Sequence, residues 1–251
     1  MGLIHLYRKL RKEAGLYNFS RITNVLYSPF TGGSRRPAFF DIDATLPALR
    51  DVDHAYPEIR RELEDLLPQQ SLMPRYHEID TDLINSSGRF NRDKRWNVFM
   101  LYCYGSLPEE NRALCPKTCA VLDRVPHLNQ AFFSILDPGK SIPAHTGPTQ
   151  AYLRYHLGLH VPQNNPPSIR VRDQFYTWKE GESMLFDDSL DHQIYNKSDG
   201  VRAILILDVL RPLPEPMFTA SLLFRKVGEW FYGPKLVRQA RKFQLHTPER
   251  P

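Results

Sequence analysis

The chain is poor in cysteine, and no apolar run in it approaches the roughly 18 to 20 residues that cross a bilayer as a helix. Its three cysteines, Cys103, Cys115 and Cys119, are too few, and odd in number, for a disulfide-stapled secreted module. Cys115 and Cys119 have three residues between them, which is not the spacing of a CxxC redox or zinc half-site. Burial is preferred over a structural disulfide, and a reducing compartment follows. The N-terminus has no apolar stretch leading to a small-residue cleavage site. Position 6 is Leu6 rather than Ser or Thr, which misses the myristoylation pattern. No zinc-finger, RNA-recognition or basic-zipper pattern occurs, so no nucleic-acid partner is expected. Repeats and low-complexity tracts are also missing. The expected location is cytoplasmic, either free or peripheral to the inner face of a membrane.

What is present suits a globular chain of short elements. At 251 residues, 41% hydrophobic and 24% charged, it can bury a sizeable core, and 21 prolines imply many rigid turns. The net charge of +5 would suit an anionic surface or an acidic small molecule. Lys and Arg cluster near both ends, at residues 8–12 and 225–242. Three parts are expected: a basic amphipathic segment and linker over 1–37, with a helix over 1–16 and a loop over 27–37; a central domain over 38–216; and basic amphipathic helices over 217–251, interrupted at Gly233 and Pro234. Both basic ends are candidates for peripheral membrane contact. A further helix is expected over 55–67, with Ile59, Leu63, Leu66 and Leu67 on one face and Pro68 ending it.

The central stretch reads as short strands over 95–104, 130–136, 151–160, 169–172, 175–178, 183–186, 193–196 and 203–210, separated by polar turns. Such a series implies an antiparallel sandwich or barrel. Strand alternation then gives geometry. Trp96, Val98, Met100 and Tyr102 share one face, Arg154 and His156 share another, and Arg202, Ile204, Ile206 and Asp208 stand together on the last strand. Inward-facing arginines and an imidazole are costly unless an anion or a metal meets them. His145 and His192 stand beside strand-like segments and turns, and neutral imidazoles suit Fe, Zn, Cu or Ni. Trp178 is read as a core aromatic, His160 as a rim residue and Asp208 as an ion-pair partner within the sheet.

HTGPTQAYLRYHLGL, the W-x-x-G-E turn at Trp178 to Glu182, FDDSLDHQIYN and the following R-A-I-L-I-L-D-V-x-R-P resemble the aspartyl/asparaginyl β-hydroxylase family. The resemblance is strongest over 96–212 and takes in LCPKT. It implies a mainly β fold, a double-stranded β-helix (jelly-roll, cupin-like barrel) with flanking helices, and an Fe(II)- and 2-oxoglutarate-dependent dioxygenase using O2. Carried onto this chain, it makes His145 and His192 the catalytic iron ligands. Ser134 and Arg202 grip the distal carboxylate of 2-oxoglutarate, Arg154 and His156 stand by its metal-proximal end, and Trp96 contacts the cosubstrate. Gly147 stands where the usual two-histidine, one-carboxylate set has its acid, so the resemblance implies water there. The competing reading takes Asp187 or Asp188 to the iron.

The substrate expected is the β-carbon of an aspartyl or asparaginyl residue, in a peptide or carrier-bound. The narrow second choice is a fatty-acyl chain of a membrane lipid of the lipid A or ornithine lipid type, since bacterial lipid hydroxylases resemble the same family. A third reading is a non-catalytic cupin-like binding module. Retention of Ser134, His145, Arg154, His156, His192 and Arg202 together speaks against it.

Overall fold

The computed structural model describes residues 16–79, 94–243 and 245, so the helix expected over 1–16 lies outside the described residues apart from its last position. Helix α1 (Leu16–Thr31) runs through Pro29, and only then do Gly32 and Gly33, at φ 95° and 58°, turn the chain. This corrects the loop expected from residue 27. Tyr27 and Thr31, four apart and so on one helical face, are both buried. They hydrogen-bond Ser221 and Gln150, and these tertiary contacts override the local breaker composition.

Among the described residues ten strands form two antiparallel sheets: β1 (Phe39–Phe40), β2 (Trp96–Cys103), β3 (Leu128–Leu136), β4 (Ile142–His145), β5 (Tyr152–His160), β6 (Ser168–Val171), β7 (Gln174–Thr177), β8 (Ser183–Phe186), β9 (His192–Tyr195) and β10 (Arg202–Leu210). The larger sheet has the order β1-β8-β5-β10-β3-β2 and the smaller the order β4-β9-β6-β7. The two enclose a common interior, as expected of a jelly-roll barrel.

Alternation divides the large sheet's residues between two cores. Leu153, Tyr155 and Leu157 of β5 and Ala203, Leu205 and Leu207 of β10 face a helical layer. That layer includes α2 (Tyr56–Leu66), which buries Ile59, Leu63 and Leu66, and α3 (Pro116–Leu122). Burying each such aliphatic side chain contributes about 1.5 to 3 kcal/mol. Pro68 does not stop the chain's helical course, which continues as a 3-10 turn over Leu67–Leu72. Its fixed φ suits the start of a helical turn.

The opposite parity faces the barrel interior, where Val98, Phe132, Met184, Phe186, Ile204 and Ile206 meet Ile169, Val171 and Ile194 of the small sheet. The shared face expected for β2 needs one correction. Trp96, Val98 and Met100 face the interior, but Tyr102 packs with the helical layer. The β2–β3 register slips between Met100 and Tyr102, and one extra residue in a strand reverses the parity beyond it.

All three cysteines are free and buried. Desolvation pushes the Cys119 thiol up to about 12. The chain closes with α4 (Met217–Phe231) and α5 (Gly233–Ala240). No helix among the described residues is long and apolar enough to cross a membrane.

Candidate functional site

Strands β4 and β9 pair with His145 directly opposite His192, and the ring centroids lie 4.1 Å apart. Each imidazole is oriented in the same way. The Nδ1–H of His145 donates to the Pro143 carbonyl, and that of His192 to the Leu190 carbonyl, both at 2.8 Å. A carbonyl can only accept, so Nδ1 carries the proton in each ring and Nε2 is the atom left for other work. This is how histidines are set for metal ligation. Desolvation, then the neighbouring His192, pushes the His145 imidazole down to about 4, which keeps it neutral and able to bind a cation.

Asp188 lies beside them, with Oδ1 3.4 Å from His192 Nε2. It accepts from Tyr152 Oη at 2.6 Å and Arg154 Nη1 at 2.7 Å. Burial works to raise its pKa, but the Arg154 guanidinium, His192 and the Tyr152 hydrogen bond together outweigh this and hold the carboxyl below its ordinary value. Asp187 is not brought to the histidines. It accepts from Arg36 Nε at 2.8 Å and from Arg211 Nη2 on the other side. Of the two acids weighed for the metal, the fold therefore presents Asp188.

The backbone N–H of Gly147 donates to the Asp188 carbonyl at 2.8 Å. A Cβ at Gly147 would lie 1.9 Å from Asp188 Oδ2, so no side chain fits there while Asp188 keeps its position. Among the described residues no cluster of three or more His, Cys, Asp or Glu side chains is arranged to hold a metal. The histidine pair is a two-ligand arrangement.

A second feature of the barrel interior is made of cationic and polar groups with no partner of opposite charge among the described residues. Arg202 is completely buried, with its guanidinium 4.6 Å from the Trp178 ring centre. Its Nη1 makes only long contacts to Ser134, both at 3.4 Å. Arg202 Nε and Nη2, Trp178 Nε1 and both ring nitrogens of His156 have no hydrogen-bond partner among the described residues. Burial with no anion nearby pulls the Arg202 guanidinium down to about 9. His156 is held well below its ordinary value by burial, with Arg154 and Arg202 adding to the effect.

Such groups are expensive to desolvate unpaired, and together they fit an incoming carboxylate. Ser134 Oγ accepts from Trp96 Nε1 at 3.0 Å as well as from Arg202. With both lone pairs engaged, its proton is the part left to offer an anion. Trp96 is held by stacking on Tyr76, with ring centroids 4.2 Å apart.

The residues singled out in the sequence thus converge on one interior, with His145, His192, Ser134, Trp96, His156 and Arg202 placed as expected. Arg154 is there too, but committed otherwise than expected. Its Nε and Nη2 donate to both oxygens of Asp208, at 2.7 and 2.9 Å, and its Nη1 to Asp188. The Asp208 pairing follows from register, since the two stand opposite each other on β10 and β5. Trp178 is fully buried, as expected of a core aromatic.

Tyr152 was overlooked, although it precedes Arg154 by two residues and parity alone places it on the same face. Arg36 carries no signal in the sequence, and Arg211, although it closes the R-A-I-L-I-L-D-V-x-R-P motif, carries none of its pairing with Asp187, because loops bring both arginines to that acid.

A family model described as Aspartyl/Asparaginyl beta-hydroxylase matches residues 53–212. The ornithine lipid ester-linked acyl 2-hydroxylase of Rhizobium tropici is 41% identical over 181 residues, which is 72% of this chain and 63% of that protein. Human aspartyl/asparaginyl beta-hydroxylase is 36% identical over 132 residues, 51% of this chain and 17% of that protein. The match therefore spans less than two thirds of the length of either relative. Among solved structures, the EutQ protein of Clostridium difficile overlaps 50% of this chain and 76% of its own at 9% identity and a TM-score of 0.32, a likeness too slight to add to the strand order itself.

Proposed function

The chain belongs to the aspartyl/asparaginyl β-hydroxylase family, and on that premise we propose that it is an Fe(II)- and 2-oxoglutarate-dependent dioxygenase that hydroxylates an unactivated C–H bond in a fatty-acyl chain of a membrane lipid. The observation that carries the oxygenase reading is the pairing of two features in one interior. Two imidazoles are preset with Nδ1 engaged by a backbone carbonyl, and next to them is a buried arginine whose only hydrogen-bonding neighbour among the described residues is a serine.

The residues fit both groups. His145 and His192 would hold the iron through Nε2. Ser134 and Arg202 would take the distal carboxylate of the dicarboxylate cosubstrate through charge-assisted hydrogen bonds, and a lysine at 202 would lack the planar fork. When bound, the iron and 2-oxoglutarate supply the oxidative chemistry: O2 is consumed as 2-oxoglutarate becomes succinate and CO2, and a substrate C–H becomes C–OH.

The chain's own part is binding, orientation and exclusion of water. Pro143 and Leu190 carbonyls fix the imidazole tautomers. Asp208 fixes Arg154, and Arg154 with Tyr152 fixes Asp188. Asp188 supplies beside the histidines the negative charge that Gly147 does not. Phe186, Trp178 and Ile206 keep the interior dry, so ionic contacts there are stronger than in water.

The acyl-chain substrate takes the place of the aspartyl or asparaginyl β-carbon expected from the sequence. The rhizobial lipid hydroxylase aligns over 72% of this chain, against 51% for the human aspartyl/asparaginyl beta-hydroxylase, and helices α1 and α4 expose large apolar side chains. To test this, the purified protein is supplied with Fe(II), 2-oxoglutarate and O2 plus either acylated membrane lipid or Asp/Asn-containing peptides. The lipid is expected to gain one oxygen atom by mass, and the peptides none. A hydroxylated peptide with unaltered lipid would return the assignment to the peptide reading.

A further inference from the structure

Outside the barrel, two helices that flank the central domain in sequence each expose large apolar side chains. On α1, Val25, Leu26 and Phe30 are exposed, Val25 at 75%. On α4, Leu223, Trp230 and Phe231 are exposed, Trp230 at 72%, and their spacing makes a single stripe along the helix. The helices meet at Tyr27 and Ser221, where Ser221 Oγ donates to Tyr27 Oη at 3.1 Å in a buried contact. Large apolar groups at this exposure and spacing mark an interaction site rather than scattered surface residues.

Charge indicates the partner. Residues 16–37 and 217–243 together carry nine Lys and Arg against a single acid, Glu229. Their net +8 exceeds the +5 of the whole chain. That one acid is shared by Arg225 and Lys226, at 2.9 and 3.1 Å, while Arg36 pairs with Asp187 at 2.8 Å and Arg241 with Glu110 at 3.3 Å, both acids lying outside these segments. A second copy would set like charge against like, so self-association through this face is opposed. Aromatic and aliphatic side chains among cations are what an anionic bilayer surface accepts: the rings enter the headgroup boundary and the cations face lipid phosphates.

Resting on the acyl-lipid reading above, we propose that α1 and α4 together dock the protein on an anionic lipid bilayer. Docking there is connected to the candidate active site. Asn24 on α1 accepts from the Gln150 backbone N–H at 2.8 Å and donates to the Pro148 carbonyl at 3.2 Å. Thr31 donates to Gln150 Oε1 at 2.7 Å. Pro148 and Gln150 lie on the loop between His145 and β5, so the docking helix is bolted to the segment that carries one candidate ligand. The bilayer is thereby brought to the site that would oxidise its acyl chains.

The test uses the full chain and vesicle co-sedimentation, with no iron or cosubstrate added, so its outcome is independent of turnover. Vesicles of phosphatidylcholine containing phosphatidylglycerol are expected to pellet the protein, and pure phosphatidylcholine to do so at least about tenfold less well. Raising salt from about 0.1 M to about 1 M, where screening shortens from about 10 Å to about 3 Å, should release most of it. Leu223→Glu with Trp230→Glu should weaken partition by about 100-fold while leaving uncoupled 2-oxoglutarate turnover unchanged. Wild-type protein that stays in solution with anionic vesicles overturns the proposal, whatever the variant does. So does a wild-type dimer, by sedimentation equilibrium without lipid, that the double substitution dissociates. Docking without lipid hydroxylation would leave this proposal standing and remove the substrate reading instead.

Discussion

Replacing Arg202 with Met separates a ligand-binding role from a structural one by the sign of the stability change. The guanidinium is fully buried, contacts Ser134 only at 3.4 Å and rests over Trp178 at 4.6 Å. Exchanging a buried charge for an apolar side chain of similar volume is often neutral to stabilising, by up to about 4 kcal/mol. The lost contact with Trp178 takes back about 2 kcal/mol at most. The ligand-free variant is therefore expected to be about 1 to 2 kcal/mol more stable than wild type, a rise of roughly 2 to 4 °C in Tm for each kcal/mol at this chain length.

The ligand response should move the other way. Truncating one partner of a buried charge pair costs about 2 to 5 kcal/mol, so the Kd for 2-oxoglutarate should weaken by about 30- to 4,000-fold. In thermal melts with Mn(II) as a redox-inert substitute, 2-oxoglutarate at about 100 times the wild-type Kd should stabilise wild type by about 2.7 kcal/mol and the variant hardly at all. A variant that is destabilised by about 2 kcal/mol or more without ligand, yet keeps the full ligand shift, refutes the assignment of Arg202 to the carboxylate.

The other expectations concern neighbouring groups. Gly147→Ala should cost about 1 to 3 kcal/mol because its Cβ meets Asp188 Oδ2, and adding Asp188→Ala should recover part of that loss in urea titrations; additive effects would disprove the contact. Asp187→Ala should destabilise by about 3 to 5 kcal/mol, because Arg36 and Arg211 lose their shared carboxylate, and a change below about 1 kcal/mol would show the pairs to be immaterial. His156, buried and held well below its ordinary pKa, makes the folded state bind fewer protons than the unfolded chain. Its contribution to stability is therefore complete above about pH 6.5 and falls by about 1.4 kcal/mol per unit as pH drops below it. Subtracting the His156→Leu profile from that of wild type isolates this slope, and parallel profiles from pH 7.5 to 5 would contradict it.

Much of the fold and candidate site was legible because β structure converts spacing into direction. Parity placed Arg154 with His156 and Arg202 with Ile204 on the inner face, and the opposite parity met the helices. What stayed hidden depended on departures from regularity or on loops. The slip after Met100 turned Tyr102 outward, which no alternating pattern reveals. Asp187 and Asp188 are adjacent in the chain yet serve separate networks, one reached by Arg36 and Arg211 and the other by Tyr152 and Arg154. The helical state of residues 27–31 depended on partners more than 100 positions away. The docking stripes on α1 and α4 were foreseen only as basic ends, because their juxtaposition needs the contact between Tyr27 and Ser221.

The most direct test of the oxygenase reading is succinate formation by the purified chain with Fe(II), 2-oxoglutarate and O2. The account predicts turnover in wild type that is lost without iron, lost in His145→Ala and His192→Ala together with metal binding, and reduced by about 30-fold or more in Arg202→Met at limiting cosubstrate. Metal binding unchanged in both histidine variants, with no succinate from wild type under any lipid or peptide, would contradict it.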